Sequence, residues 1–147
     1  MRRLVSYAAA TLATILVLVG LAAAPAQAGP QHYGTDPYAS GCAGNSFMYR
    51  SFPFSTSGGA GTTERAELWY SRTCQTNWIR VTGNPAGGVT SKTLSSDYGQ
   101  TWEEYDSGTG WSYGMQVYAP PGVCVNMVVY INYPDGYPFG VVIERVC

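Results

Sequence analysis

The chain of 147 residues has few of the residues on which many catalytic and nucleic-acid-binding sites depend. It contains one lysine, Lys92, and one histidine, His32, and no glycine cluster is directly followed by Lys-Ser or Lys-Thr. Eight basic residues against nine acidic ones give no positive excess for a nucleic acid or an anionic lipid surface. With a single histidine, the chain has almost no residues from which a Ser-His-Asp or Cys-His nucleophile could be built. No nucleic-acid partner is expected.

The first 28 residues have the organisation of a secretory signal peptide. Two arginines follow Met1, residues 4–24 are almost wholly apolar, and Ala26-Gln27-Ala28 places small residues where signal peptidase reads. A membrane anchor is the alternative, since the apolar run approaches the length that spans a bilayer. Pro25 and the cleavage motif favour removal. We predict a mature chain from residue 29 that is secreted, extracellular or loosely attached to the cell wall, without membrane insertion.

Four cysteines remain in the predicted mature chain, namely Cys42, Cys74, Cys124 and Cys147. An even number in a small exported chain is typical of disulfides. The spacing contains no C-x-x-C pair, so neither a metal site nor another cofactor is expected. Three pairings are possible on paper. Sequential pairing closes two moderate loops, each of which would stabilise the fold by roughly 3 to 4 kcal/mol.

Short segments rich in β-branched and aromatic residues alternate with Gly, Pro, Ser, Asn and Asp along the mature chain, and no window shows a helical period with caps. The predicted strands are 46–52, 64–71, 77–82, 89–94, 101–106, 113–118, 123–133 and 139–146. About eight short strands indicate an all-β, disulfide-stapled sandwich or small barrel. We predict a single β domain over residues 42–147, preceded by an extended N-terminal arm over residues 29–41.

A C-terminal hairpin around Tyr133-Pro134-Asp135-Gly136-Tyr137 gives the strongest local signal. Pro-Asp-Gly favours a type I turn followed by glycine in the left-handed region. The resulting register pairs Met127 with Ile143 on one apolar face. It also pairs Cys124 with Val146, whereas a plain two-residue turn pairs Cys124 with the last cysteine. We therefore expect an irregularity near the C-terminal end of the hairpin.

One predicted strand carries three acids among aromatic residues. On a strand, Trp102, Glu104 and Asp106 share one face, while Glu103 and Tyr105 share the other. Glycosidases combine two carboxylates with aromatic sugar platforms, so a small glycoside hydrolase is a remote alternative. Catalytic carboxylates usually come from separate strands in a deep cleft, for which this domain leaves little room. We expect these residues in a binding surface, and no enzyme.

The twelve Tyr exceed what a small core can bury with their hydroxyls satisfied, so some must be exposed. Exposed Tyr and Trp are typical of binding surfaces for saccharides or proteins. The predicted ligand-binding patch consists of Trp102, Tyr105, Trp111 and Tyr113. The leading hypothesis is a secreted, non-catalytic binding module for an extracellular protein or a cell-surface glycan.

A second hypothesis assigns the contact to the N-terminal arm. A free segment over residues 29–40 could add a strand to the sheet edge of a partner. The protein would then be a component of a secreted protein assembly or an inhibitor of an extracellular enzyme.

Two stretches resemble a family of small secreted bacterial proteins with four cysteines. They are residues 35–42, TDPYASGC, and residues 66–80, AELWYSRTCQTNWIR. They are similar to the sequence pattern of the YjfA-like family, whose function is unknown. That pattern is D-P-x-x-x-G-C, followed later by E-L-x-Y-S, a cysteine and Trp-x-Arg. Residues 113–118, Cys124 and Cys147 are similar to its second cysteine pair. The resemblance implies secretion and sequential disulfide pairing, and it carries no activity, cofactor or catalytic residue.

Overall fold

A computed structural model describes residues 27–55, 63–84, 88–107, 109–132 and 138–147. Most of them belong to nine β-strands: β1 Ser46–Pro53, β2 Arg65–Ser71, β3 Thr76–Asn84, β4 Val89–Ser96, β5 Thr101–Ser107, β6 Gly110–Tyr113, β7 Val117–Tyr118, β8 Val125–Asn132 and β9 Pro138–Val146. Two short 3-10 turns, Pro30–His32 and Cys42–Asn45, precede them. The prediction of an all-β fold with about eight short strands is confirmed. Most of the predicted signal peptide and the predicted hairpin turn lie outside the described residues.

The strands form two antiparallel sheets that face each other. The first sheet has the order β1-β2-β3-β6, with β7 also paired to β3, and the second has the order β5-β4-β8-β9. An isolated bridge between Ser55 and Val141 connects the sheets along one side. The arrangement is a sandwich and not a closed barrel. Within the described ranges, no helix has the length and apolar character needed to cross a membrane.

The core lies between the sheets and follows from the period of two along each strand. Ala66 and Leu68 on β2 face inward from the first sheet, and Met127 and Val129 on β8 face them from the second. These side chains are fully buried. Burying a side chain of the size of Leu or Met contributes roughly 1.5–3 kcal/mol, so this alternation is the main source of the fold's stability.

The chain that follows β1 lies close against β9 at Gly140. A Cβ atom on this residue would lie 2.8 Å from the Cβ of Phe54 and 3.3 Å from the carbonyl oxygen of Ser55. Real Cβ atoms do not come as close as 2.8 Å to their neighbours, so glycine is needed for the contact between β9 and the residues that follow β1.

The predicted strand over residues 113–118 is wrong as a continuous element. The structure has β6 and β7 instead, and Gly114–Gln116 between them are outside any strand. The backbone N–H of Gly114 donates to Ile79, but the backbone of Gln116 pairs with Gly34 and Thr35 of the N-terminal segment. This contact with a distant part of the chain interrupts the strand.

The predicted register of the C-terminal hairpin is also wrong. Met127 pairs with Glu144 and not with Ile143, which points outward and is 67% exposed. The shift of one residue arises between Ile131 and Asn132, at the turn end of the hairpin and not near its C-terminal end. The observed register is favoured because it buries Val142 in the core and places Cys124 opposite Cys147.

Both predicted disulfides are confirmed. Cys42 is bonded to Cys74 with a Cα–Cα distance of 5.6 Å, and Cys124 is bonded to Cys147 with a distance of 4.1 Å. The sequence separations are 32 and 23 residues. In the loop-entropy picture, bonds of such span each stabilise the native state by about 3.5 kcal/mol.

The prediction of an extended N-terminal arm over residues 29–41 is wrong, because this segment is folded against the sheets. Its backbone forms a 3-10 turn and further turns. Gly34 donates to the carbonyl of Gln116 at 2.9 Å, and Gln116 donates to that of Thr35 at 3.2 Å. The fully buried Gln116 side chain adds hydrogen bonds to Thr35 at 2.7 Å and to Ser40 at 2.9 Å. One buried amide thus anchors the segment.

Candidate functional site

The structure divides the four residues of the predicted binding patch among three surroundings. Trp111 and Tyr113 lie together on β6, at the edge of the first sheet. Trp102 lies on β5 of the second sheet, where it packs against the core and the N-terminal segment. Tyr105, also on β5, projects from the opposite face of that strand and is 66% exposed. A single patch of all four residues is therefore not formed.

Strand register places Trp111 and Tyr113 on a larger surface. Tyr113 pairs with Arg80, and Arg80 pairs with Glu67, so these three residues lie side by side across the outer face of the first sheet. Trp69 follows Glu67 on the same face because residues two apart on a strand share a side. The aromatic face is defined here as Glu67, Trp69, Arg80, Trp111 and Tyr113.

The inner part of the aromatic face is held by stacking and by an ion pair. The guanidinium of Arg80 lies 4.3 Å from the ring centroid of Trp69. Its Nε donates to Glu67 at 2.8 Å, and the Trp69 indole donates to the same carboxylate oxygen at 2.8 Å. Trp69 also stacks on the buried Trp78, at 6.3 Å between centroids. These contacts orient the Trp69 ring and the guanidinium plane together.

The outer part of the aromatic face consists of rings. Trp111 stacks on Tyr113 with 5.6 Å between centroids and an interplanar angle of 20°. Tyr38 from the N-terminal segment lies edge-on to Tyr113 at 4.8 Å. Trp111 is nevertheless 54% exposed. A large indole is thus held in place by its neighbours while more than half of its surface stays available to a ligand.

Asp36 fastens this ring cluster from the N-terminal segment. Its carboxylate accepts the Tyr113 hydroxyl at 2.9 Å and the backbone N–H groups of Tyr38 and Ala39 at 2.7 and 3.1 Å. Burial alone would raise the pKa of Asp36, but these three hydrogen bonds hold it below the ordinary value of 3.8. The hydrogen bond to Asp36 in turn raises the pKa of the Tyr113 hydroxyl. At neutral pH the pair is therefore a carboxylate and a neutral phenol.

Trp102 belongs to the junction between the N-terminal segment and the second sheet. Tyr33 contacts its ring edge-on at 5.9 Å, and a Cβ on Gly34 would lie 2.7 Å from its Cζ3 atom. The indole N–H donates to Glu104 at 3.0 Å. We assign Trp102 to packing and not to a ligand surface.

The outer face of the second sheet carries Tyr105 with a different neighbourhood. Its hydroxyl donates to Glu103 at 2.6 Å, and this hydrogen bond raises the pKa of the Tyr105 hydroxyl. Tyr130 and Ile143 are exposed as well. Register links Tyr105 and Tyr130 through Ser91, which pairs with both. Among the described residues, this face presents apolar surface but no stacked rings like those of the aromatic face.

The three acids of β5 have separate roles in the structure. Glu103 faces solvent beside Tyr105, whereas Glu104 and Asp106 face the interior, as their alternation predicts. Asp106 accepts the Lys92 ammonium at 2.7 Å, and Glu104 accepts the Trp102 indole. Glu104 and Asp106 would have to leave these contacts to act as the acid and base of a glycosidase. Glu103 cannot pair with either of them, because it lies on the opposite face of β5.

An apolar cavity of about 260 Å³ lies between the sheets, near the Cys124–Cys147 end. Phe47, Tyr49, Leu68 and Tyr70 line it, together with the 119–123 loop. Burial raises the pKa of the Tyr70 hydroxyl, which keeps this phenol neutral. The cavity suits an apolar group and not a polar sugar.

His32 lies beside the Cys42–Cys74 disulfide, and one ligand atom from each of the three residues falls within 4.8 Å of the others. Cysteine binds metal ions as a thiolate. Both sulfur atoms are in the disulfide, so the cluster offers no thiolate in this oxidised state.

The predicted patch lacked three members of the aromatic face, namely Glu67, Trp69 and Arg80, and the two residues of the N-terminal segment that support it, Asp36 and Tyr38. The alternation of Glu67 with Trp69 and of Trp78 with Arg80 was a usable signal, since it puts charge and indole on one face of two neighbouring strands. No local pattern in the sequence predicts the contribution of the N-terminal segment, because Tyr38 and Tyr113 are 75 positions apart and come into contact only in the folded chain.

No model of a protein family matches the chain, and neither does any curated protein or solved structure. The resemblance to the YjfA-like family therefore stays a prediction.

Proposed function

We propose that this protein is a secreted, non-catalytic binding module that recognises an extracellular or cell-surface glycan on the aromatic face. The observation that carries the proposal is the preorganised Trp111–Tyr113 stack, in which an indole fixed from behind by another ring is 54% exposed. Exposed large rings held in one orientation give contact area at little cost in conformational entropy. They suit the flat C–H faces of pyranose rings.

Polar groups beside the rings support a glycan over a purely apolar ligand. Arg80 and Glu67 form an ion pair within the aromatic face, and their side chains keep 28% and 10% of their surface exposed. A sugar hydroxyl both donates and accepts, so a guanidinium next to a carboxylate satisfies it in either role. The Arg80 guanidinium is already stacked on Trp69, which reduces the entropy lost when it binds.

The compartment fits a glycan of the cell exterior. Two disulfides are typical of proteins that work in an oxidising environment. Together with the signal-peptide pattern, they support secretion. The alternative of strand addition by a free arm has lost its basis, since Gly34 and Thr35 form backbone hydrogen bonds with Gln116 within the fold.

The test measures depletion of the secreted, oxidised protein by insoluble glycans: cellulose, chitin and purified bacterial cell wall. We expect retention on at least one of them and a loss of affinity of about tenfold for Trp111→Ala, since one aromatic contact is worth about 1.4 kcal/mol. Tyr105→Ala is the matched control, because it removes an exposed ring from the other sheet.

Three outcomes would contradict the proposal. Retention by no glycan would remove its ligand class. Equal affinities of wild type and Trp111→Ala would remove the aromatic face as the site. A loss confined to Tyr105→Ala would place binding on the second sheet, where the exposed apolar surface suits a protein partner.

A further inference from the structure

The only lysine of the chain is buried between the two sheets. Lys92 lies on β4 and is 2% exposed. Its ammonium group donates to Thr90 at 3.1 Å, to Asp106 at 2.7 Å and to Ser112 at 3.2 Å. These three acceptors match the three N–H donors of an ammonium group. The side-chain nitrogen is therefore held in one position, with no donor left for water.

Asp106 is held just as firmly. One carboxyl oxygen contacts Lys92, and the other accepts a hydrogen bond from the Thr90 hydroxyl. Thr90 thus touches the amine and the carboxyl group at the same time. Register places Asp106 opposite Thr90 on the neighbouring strand, which fixes this triangle by backbone pairing.

We propose that Lys92 and Asp106 form an intramolecular amide, an isopeptide bond that joins β4 to β5. Three features of the cluster support it: the 2.7 Å approach, the burial of the amine, and a hydroxyl that bridges both groups. Reacting groups fixed in contact behave as if at very high local concentration, which is how an unactivated carboxyl can react with an amine. The Asp106 side chain is 29% exposed, so the water released has a way out.

The reaction is a condensation without a change of oxidation state. Proton transfer from the ammonium to the carboxylate gives a neutral amine and a carboxylic acid. The nitrogen lone pair of Lys92 then bonds to Cγ of Asp106. A second nitrogen proton passes through the Thr90 hydroxyl to the other carboxyl oxygen, which gives a neutral intermediate with two hydroxyl groups. One C–O bond breaks, and that hydroxyl leaves as water with the proton of the other, which restores the carbonyl.

The bond would reinforce the open side of the sandwich. β5 is an edge strand of the second sheet, and β6 is an edge strand of the first. Neither disulfide involves either strand. An amide between Lys92 and Asp106 would bind β5 covalently to β4, the strand with which β5 pairs in the second sheet.

The test is the mass of the secreted, oxidised protein under denaturing conditions. We expect a mass 18 Da below that calculated for the observed N-terminus with two disulfides. After reduction and alkylation, trypsin should leave residues 81–145 as one peptide, because acylated Lys92 is no longer a cleavage site. Lys92→Arg and Asp106→Ala should each have their full calculated mass.

The measurement on wild type decides the matter even if both variants fail to fold. The full calculated mass together with cleavage after Lys92 would show an ordinary buried ion pair and overturn the proposal. A loss of 18 Da with cleavage after Lys92 retained would also overturn it, since the water would then have been lost elsewhere, as in a cyclic imide at Asp135-Gly136.

Discussion

Replacement of Gly34 by alanine tests the docking of the N-terminal segment, on which both the aromatic face and the position of Trp102 depend. Gly34 has a φ of +69°, and its added Cβ would lie 2.7 Å from Cζ3 of Trp102. Gly41 is the matched control, since its φ is +79° and an added Cβ there would meet no atom of the described residues within 4 Å. Both variants carry the same kind of backbone strain, and only Gly34→Ala adds a clash.

The expected magnitudes follow from these two differences. A left-handed residue with a side chain costs about 1–2 kcal/mol, and forcing a methyl group into a packed contact costs about 1–3 kcal/mol more. We therefore expect the free energy of unfolding to fall by about 2–5 kcal/mol for Gly34→Ala and by about 1–2 kcal/mol for Gly41→Ala. The assay is guanidinium chloride unfolding followed by tryptophan fluorescence.

A double-mutant cycle shows whether the clash partner is the Trp102 ring. In a Trp102→Leu background, Gly34→Ala should cost no more than Gly41→Ala, because the ring atoms that meet the new methyl group are gone. Equal losses for the two glycine variants in the wild-type background would refute the docking of Gly34 on Trp102.

Two further predictions concern the hairpin register and the Asp36 cluster. Val142→Lys should unfold the protein or lower its stability by several kcal/mol, because it places an unpaired charge in the core. Ile143→Lys should change the denaturation midpoint little, because Ile143 is exposed. A larger loss for Ile143→Lys than for Val142→Lys would support the register predicted from the turn. Because the folded-state pKa of Asp36 lies below its unfolded value of 3.8, its contribution is complete above that value and is lost as the pH falls through the folded pKa. Asp36→Asn should therefore flatten the fall of stability with pH below about pH 4, and it should change the stability little once the pH is below the folded pKa. Acid titration of the unfolding midpoint measures this. An unchanged profile would contradict the assigned hydrogen bonds.

Compositional and local patterns were sufficient for the fold class. The period of two in strands such as β8 and the Gly- and Pro-rich breaks predicted an all-β fold, because alternation and turn chemistry act over a few residues. The alternation also placed Glu104 and Asp106 on one face of β5. The Cys124–Cys147 bond was predicted as one of several possible pairings, and the structure selects it.

Local turn preference was insufficient for the register of the C-terminal hairpin. Pro-Asp-Gly predicted a pairing that would put Ile143 inward, but burial of Val142 and the closing disulfide outweigh the turn. A shift of one residue moves every side chain of a strand to the opposite face, so burial in the core determines the register. The one-residue difference from the predicted pairing lies between Ile131 and Asn132.

The candidate site needed the tertiary structure. Composition and alternation indicated that the tyrosines are too numerous for all of them to be buried, and they indicated which strands carry aromatic residues. The four cysteines predicted an oxidising compartment. Only the folded chain decided that Trp111 and Tyr113 share a surface with Trp69 and Arg80, and that Trp102 is covered by the N-terminal segment. Strand alternation tells which residues share a side of one strand. Which strands become neighbours, and which face a distant segment covers, depends on contacts between residues far apart in the chain.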